Sequence, residues 1–187
     1  MRPEAADLFR EIVSIGASQS SGALAEQMGH AVRITVPMLR EMELEEAATV
    51  FGPPTEPVEA ALVIVEGAFQ AGLLLALPEE DGKALRAALG VAEDDEFGLE
   101  KPLGNVLTSF VEATGTFLMA DLKPELTRYL RDMAGSLVPS LMGELDYEVE
   151  YLWMVEVDFV TDQTSVLGRL FFLADADFYR MIDEMAG

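Results

Sequence analysis

The chain has 187 residues, with 12 basic and 34 acidic side chains, a formal net charge of -22 and no cysteine. Half of the residues are hydrophobic (50%), so the chain can bury a core, and a disordered protein is excluded. The excess of acids would repel phosphate backbones, and no apolar run reaches the roughly 18 residues of a membrane span. We therefore expect no nucleic-acid partner, no membrane insertion and a soluble, cytoplasmic protein.

Cysteine and histidine usage limits the chemistry of the chain. Without cysteine there are no disulfides and no thiolate ligands, and the single histidine, His30, cannot build a zinc site of several imidazoles. His30 follows a glycine that ends a predicted helix, so we interpret it as a polar ring at a strand entrance. No cofactor and no metal of the protein's own is expected.

The first part of the chain predicts a helix, a strand and a second helix. Apolar residues spaced by threes and fours predict a helix over 5–28 that ends at Gly29. Alternation over 31–36 predicts a strand that stops at Pro37. Residues 41–51 then predict a short helix, which the Gly-Pro-Pro sequence at Gly52 ends.

A hairpin and a third helix complete the first half. Residues 60–66 and 68–77 predict two strands with Gly67 at the turn. The acids after Pro78 suit a helix N-terminus, and this helix runs to Gly90. An acidic connector follows over 92–96.

The second half repeats this pattern. The end of the first helix and its strand are matched in the second half by Glu112 to Gly115, a predicted strand over 116–122 and Pro124. Residues 72–90 align without a gap on 168–186. A hairpin over 151–160 and 166–173 and a helix over 176–185 return, with an additional helix over 126–145 that Pro139 kinks. The repeat predicts a single domain, 1–187, made of two repeats of about 1–91 and about 95–187. Because each hairpin has an apolar face, the two hairpins should join in one antiparallel sheet covered by helices.

Three sequence blocks resemble the family of CheC and CheX chemotaxis phosphatases and the flagellar-switch phosphatase FliY. These blocks are Glu11-Ile12-Val13-Ser14-Ile15-Gly16-Ala17, Asp132-Met133-Ala134-Gly135 and residues 156–173. They occur in the family's order and reproduce the internal duplication. The resemblance implies a pseudo-twofold α+β fold, with one continuous antiparallel sheet and two signature helices side by side.

The implied activity is hydrolysis of the aspartyl-phosphate on a CheY-type response regulator. Family members carry Glu-x-x-Asn on a signature helix, and residues three apart project from one helix face into the same cleft of a partner. Glu11 stands at the acidic position, where it would pair with the regulator's lysine, but Ser14 replaces the asparagine that would hold the attacking water. A hydroxyl is shorter than a carboxamide. We therefore expect docking on a phosphorylated regulator with weak or lost phosphatase activity.

The second copy of the motif is also degenerate. One alignment places Phe97 and Glu100 at the two positions, and another places Pro102 and Asn105 there. Neither alignment restores the pair, so Glu100 and Asn105 are at most remnants of a second motif. Pro102 favours a first helical turn, so this helix should begin near Lys101 and leave Phe97 outside it.

Other interpretations stay open on the sequence alone. Ser14 and Ser18 are read as residues that allow close packing of the two signature helices, since no base for a serine nucleophile is visible. The chain could instead be a non-enzymatic interaction or scaffold module like the FliM middle domain, or a small-molecule-binding domain with a ligand between its helices. CheC proteins also partner with the deamidase CheD, and no residue here decides for or against a CheD-like partner.

Overall fold

The computed structural model describes the backbone of residues 1–187 and the side chains of 1–125 and 127–187. The described backbone forms, in chain order, α1 (Pro3–Met28), β1 (Arg33–Glu43), α2 (Leu44–Ala47), β2 (Pro57–Gly67), β3 (Ala71–Pro78), α3 (Glu79–Ala88), α4 (Glu100–Leu118), β4 (Leu122–Met133), α5 (Ala134–Met142), β5 (Tyr151–Val160), β6 (Ser165–Ala174) and α6 (Ala176–Met185).

All six strands form one sheet in the order β1-β5-β6-β3-β2-β4, and every neighbouring pair is antiparallel. The hairpins β2-β3 and β5-β6 meet at the centre, where Leu74 pairs with Phe171 and Leu75 with Leu170. The outer strands are exchanged between the halves, since β1 lies on β5 and β4 lies on β2. This arrangement confirms the predicted α+β class and its pseudo-twofold, continuous antiparallel sheet.

Helices cover both faces of the sheet. The helices α1, α3, α4 and α6 pack on one face through a large core that includes Phe9, Leu85, Leu107 and Phe178. The shorter helices α2 and α5 close the other face around a second core. Burial of both faces explains why β3 is apolar along its whole length, with Ala71 to Leu77 buried without a break. The two signature helices, α1 and α4, therefore lie on the same side of the sheet.

The prediction that Pro37 ends the first strand is wrong. β1 continues to Glu43, and its register on β5 shifts between Thr35 and Met38, around the proline. A proline lacks the N–H that a ladder needs, but at a sheet edge beside a bulge no inner ladder is broken. Since β1 extends to Glu43, the helix predicted over 41–51 is also too long, and only α2 is helical.

Two predictions for the second half are corrected as well. The strand predicted over 116–122 begins only at Leu122, because α4 continues to Leu118 and ends at Met119 with a φ of 51°. The helix predicted over 126–145 is a strand in its first part, where β4 pairs along β2 from Leu122 to Met133. Its remainder is α5, which contains Pro139 as predicted. Pairing with a distant strand outweighs the local helical pattern there.

The other predicted elements are confirmed with small changes of their bounds. α1 has a proline at its first position and ends at Gly29, whose φ of 72° is the left-handed conformation that glycine tolerates. The two hairpins, α3 and α6 also lie where the sequence predicts them. In the described part of the chain, no helix is long and apolar enough to cross a membrane.

Candidate functional site

The two signature helices, α1 and α4, pack side by side through small residues of α1. Gly16 faces the ring of Phe110, and a Cβ built on Gly16 would lie 2.9 Å from Cδ2 of that ring. Ser20 is fully buried, and its hydroxyl reaches the carbonyl oxygens of Gly16 (2.7 Å) and Val106 (3.2 Å). Close approach of the helices therefore depends on Gly16 and Ser20.

This packing corrects the interpretation of Ser14 and Ser18 as close-packing residues. Both side chains are exposed on the outer face of α1, and Ser20 occupies the helix contact instead. The reason is helical geometry, because positions 14 and 18 share a face with Glu11, whereas Gly16 and Ser20 lie on the face toward α4.

Glu11 and Ser14 are exposed together, while Ile12 and Val13 between them are buried against the core. The hydroxyl of Ser14 donates to the carbonyl oxygen of Arg10 at 2.9 Å, one turn back along the helix. The side chain of Arg10 is paired with Asp7 at 2.7 Å. Glu11 is thus left as a solvent-facing carboxylate on a helix whose opposite face is rigidly packed.

The residues of the second motif do not form a comparable pair. Glu100 is the first residue of α4 and is exposed, whereas Asn105 lies five positions later and therefore on a different face. The amide of Asn105 donates to the side-chain oxygen of Gln27 on α1. Pro102 is buried in the first turn of α4, and Phe97 lies before the helix with 64% of its surface exposed. α4 thus carries no glutamate with an asparagine three positions later.

His30 lies beside the end of α3. A ring nitrogen of His30 lies 3.0 Å from the carbonyl oxygen of Ala88, so the imidazole is satisfied at the end of α3. Among the described side chains, no three His, Asp or Glu residues are grouped so that they could hold a metal ion.

A buried ionic cluster beneath α3 was missed by the sequence reasoning. Glu59 on β2 is 1% exposed and accepts hydrogen bonds from Arg86 (2.5 Å) and Tyr129 (2.8 Å). Gly82 faces the carboxylate, and a Cβ there would lie 3.2 Å from it. Burial alone would lower the pKa of Arg86, but the hydrogen bond and the charge of Glu59 raise it. Burial, with the charge of Glu59, raises the pKa of Tyr129.

A sequence signal for this cluster does exist. Glu59 is an acid inside a strand that is otherwise almost entirely apolar from Val58 to Val65. A charged residue at a position of full burial needs a partner. The cluster also connects to the segment before α4, since Nε of Arg86 lies 3.3 Å from the carbonyl oxygen of Asp95.

Comparisons with known proteins agree with this geometry. The chain is 23% identical over 195 residues to the CheY-P phosphatase CheC of Bacillus subtilis (strain 168), and the alignment covers 97% of this chain and 93% of that protein. Thermotoga maritima FliY has a TM-score of 0.69 at 17% identity, covering 98% of this chain and 96% of FliY. The FliM middle domain from H. pylori has a TM-score of 0.61 at 10% identity, covering 98% and 99% of the two chains. No family model matches the chain.

The fold is the one that FliY and the FliM middle domain share, with two signature helices beside a continuous antiparallel sheet. The sequence likeness to CheC extends over nearly the whole length of both proteins. The chain is therefore CheC-like: it is similar in sequence to the CheY-P phosphatase CheC and similar in fold to FliY.

Proposed function

We propose that this protein docks on a phosphorylated CheY-type response regulator through the exposed face of α1 that carries Glu11 and Ser14. The observation that supports the proposal is the common exposure of these two side chains on a helix that is fixed from behind by α4 and the sheet. A rigid helix can present a carboxylate to a partner without an ordering cost at the moment of binding.

The chemistry follows from the resemblance to the family. Hydrolysis of an aspartyl-phosphate breaks the bond between phosphorus and the acyl oxygen, while a water oxygen forms the new bond to phosphorus. The products are phosphate and the free aspartate of the regulator. In this scheme Glu11 pairs with the regulator's active-site lysine, and the magnesium belongs to the regulator. Such a reaction depends mainly on positioning and charge placement.

We expect the phosphatase activity to be weak or lost. Ser14 donates to the carbonyl oxygen of Arg10, so its hydroxyl is held against the helix and does not reach outward as a carboxamide would. When catalysis depends on positioning, a misplacement of about 1 Å can reduce the reaction rate on the order of a hundredfold. α4 supplies no second pair, because Asn105 is bonded to Gln27.

The test is to mix the protein with phosphorylated regulator and measure both binding and phosphate release. Glu11→Ala should weaken binding, and it should abolish any accelerated release of phosphate. Glu26→Ala is the matched control, because it removes one exposed acid from the same helix about 22 Å away. Equal effects of the two variants would show that only the overall charge matters, and the docking face would then be elsewhere.

A non-enzymatic interaction module is the second candidate. It is favoured by the similarity of the fold to the FliM middle domain and by the absence of a Glu-x-x-Asn pair on α4. This alternative predicts binding to a partner with no change in the rate of phosphate release and no effect of Glu11→Ala. Mixing the chain with a CheD-type deamidase in the same binding assay tests the other partner class.

A further inference from the structure

Glu59 on β2 is buried, yet only one of its two carboxylate oxygens is hydrogen-bonded. Oε2 accepts from Nη2 of Arg86 at 2.5 Å and from the hydroxyl of Tyr129 at 2.8 Å. Oε1 is buried and has no hydrogen-bond donor among the described residues. Since an unpartnered buried carboxylate oxygen is strongly unfavourable, native proteins usually supply a donor. Oε1 therefore has capacity for one more donor.

Glu59 lines a surface groove of about 460 Å³ at the ends of β2 and β4, where α3 begins. Pro57, Val58 and Met133 supply apolar parts of its lining, and Glu79 and Asp132 supply further carboxylates. Met133 is 53% exposed, although it is a large apolar side chain. A groove with apolar walls and a carboxylate at its base suits an alkyl chain that ends in a cation.

Arg131 is the cation beside Oε1, and it is loosely held. Its guanidinium nitrogens lie 3.8 Å from Glu59, 3.8 Å from Glu79 and 3.9 Å from Glu96. These distances are beyond the ~3.2 Å limit of a good hydrogen bond. The side chain of Arg131 is 39% exposed. Arg131 thus covers Oε1 without donating to it and has room to swing into solvent.

The remaining cations near the groove are already engaged. Arg86 donates to Oε2 of Glu59, and Lys83 is paired with Glu80 at 2.6 Å. The hydrogen bond to Glu80 and the charge of that residue also raise the pKa of Lys83. An incoming cation would therefore compete with Arg131 at Glu59, and with both Arg131 and Lys83 at Glu79, where each nitrogen lies 3.8 Å from the carboxylate.

We propose that this groove binds a primary alkylammonium group, as carried by a lysine side chain or a free linear amine. The ammonium displaces Arg131 and donates to Oε1 of Glu59, with Glu79 as a second acceptor, while the alkyl chain lies along Pro57 and Met133. A primary ammonium has three N–H donors, enough to serve the carboxylates of Glu59 and Glu79. The site shares no residue with the α1 face and goes beyond the function proposed for that face.

The test is an NMR titration of the full chain with n-butylammonium, compared with n-butyltrimethylammonium. The two probes have the same charge and the same alkyl chain, but only the first can donate a hydrogen bond. We expect saturable shifts confined to amides around Val58, Glu59 and Met133, and about tenfold weaker binding of the trimethyl probe, because hydrogen bonds to charged groups are strong. Equal binding of both probes, or shifts spread over the acidic surface, would overturn the proposal.

Three variants separate a binding site from a purely structural ion cluster. Glu79→Gln should weaken n-butylammonium binding, and Arg131→Ala should strengthen it severalfold by removing the competing cation and the cover over Oε1. Glu59→Gln should abolish the binding, and if that variant does not fold, the other two decide. Glu148→Gln is the control, since it removes one acid from a different groove and should change nothing. Unchanged or weaker binding by Arg131→Ala would contradict the proposal.

A second pair of probes identifies the source of the ammonium. Nα-acetyl-lysine methylamide carries the same head group on a peptide unit. Tighter binding of this probe than of n-butylammonium assigns the groove to a lysine of a protein partner. Weaker binding assigns it to a free amine.

Discussion

Gly16 on α1 lies directly against the ring of Phe110 on α4, with no room for a side chain between them. A Cβ at Gly16 would come within 2.9 Å of the ring, a distance that real Cβ atoms do not adopt. The distance between the two signature helices is thus set by the absence of one side chain. The outer face of α1, with Glu11, is exposed to solvent.

Two glycines of α1 should respond in opposite directions to the same substitution. Gly16→Ala should lower the free energy of unfolding by about 1–3 kcal/mol, because the added methyl overpacks the helix contact. Gly22→Ala should raise it by about 0.5–1 kcal/mol, because Gly22 is exposed with nothing within 4 Å of a Cβ and alanine is the better helix former. Urea denaturation of both variants measures the difference. Changes of the same sign would mean that the contact between α1 and α4 accommodates an added methyl group.

Restoring the amide should restore catalysis if the α1 face is a phosphatase site. Ser14→Asn should increase phosphate release from phosphorylated regulator by about tenfold or more, since placement of the water dominates this chemistry. Ser18→Asn is the control one turn along the same exposed face, and it should leave the rate unchanged. A fall in the rate with Ser14→Asn would mean that the motif has been misplaced.

Removing Arg86 from its buried pair with Glu59 should lower the free energy of unfolding far more than breaking an ion pair at the surface. Arg86→Met leaves the carboxylate of Glu59 buried without its charge partner, and we expect a loss of about 3–5 kcal/mol in the free energy of unfolding. Arg40→Met breaks the half-exposed pair with Glu46, which is 2.7 Å long, and should change the stability by about 1 kcal/mol or less. Thermal or urea unfolding compares the two.

A double variant controls for lost packing in that experiment. Glu59→Leu combined with Arg86→Met removes both charges and should recover much of the stability lost in Arg86→Met. A double variant as unstable as the single one would show that shape, and not the unpaired charge, is responsible.

Stability should fall at alkaline pH partly through Tyr179. Burial, with the charge of Glu41, raises the pKa of Tyr179 to about 12. The unfolded chain loses this proton near pH ~10, while the folded protein still holds it. The contribution of Tyr179 is therefore fully present below about pH 10 and is lost as the pH rises toward the folded-state value. Tyr179→Phe should flatten the decline of the unfolding free energy between those values, and parallel curves for the variant and the parent would argue against this origin.

The sequence predicted the elements whose signals are local. α1 has a regular apolar spacing, a proline at its start and Gly29 at its end, and the hairpins carry long apolar runs. Helical spacing also places Glu11 and Ser14 on one face, although the interpretation of Ser14 as a helix-packing residue was wrong. These features require no knowledge of distant residues.

The sequence could not predict what depends on pairing between distant segments. Pro37 lies in a strand because β1 is at the sheet edge, and β4 is extended because β2 offers it a partner. The cluster around Glu59 was missed for a similar reason, because its partners Arg86 and Tyr129 come from two other elements. Glu59 is visible as an acid in an apolar strand, but nothing local in the sequence identifies the two residues that pair with it.

The exchange of outer strands has a consequence for how the chain folds during synthesis. β1 leaves the ribosome early, yet its partner is β5, with Arg33 paired to Val160 near the other end of the chain. The first half can form α1 and the β2-β3 hairpin, but β1 has no neighbour until most of the second half has been made. Contacts this far apart in sequence slow folding and leave an unpaired strand exposed in the meantime. The abundant negative charge then serves as protection, because nascent chains that repel one another have time to complete the sheet before they aggregate.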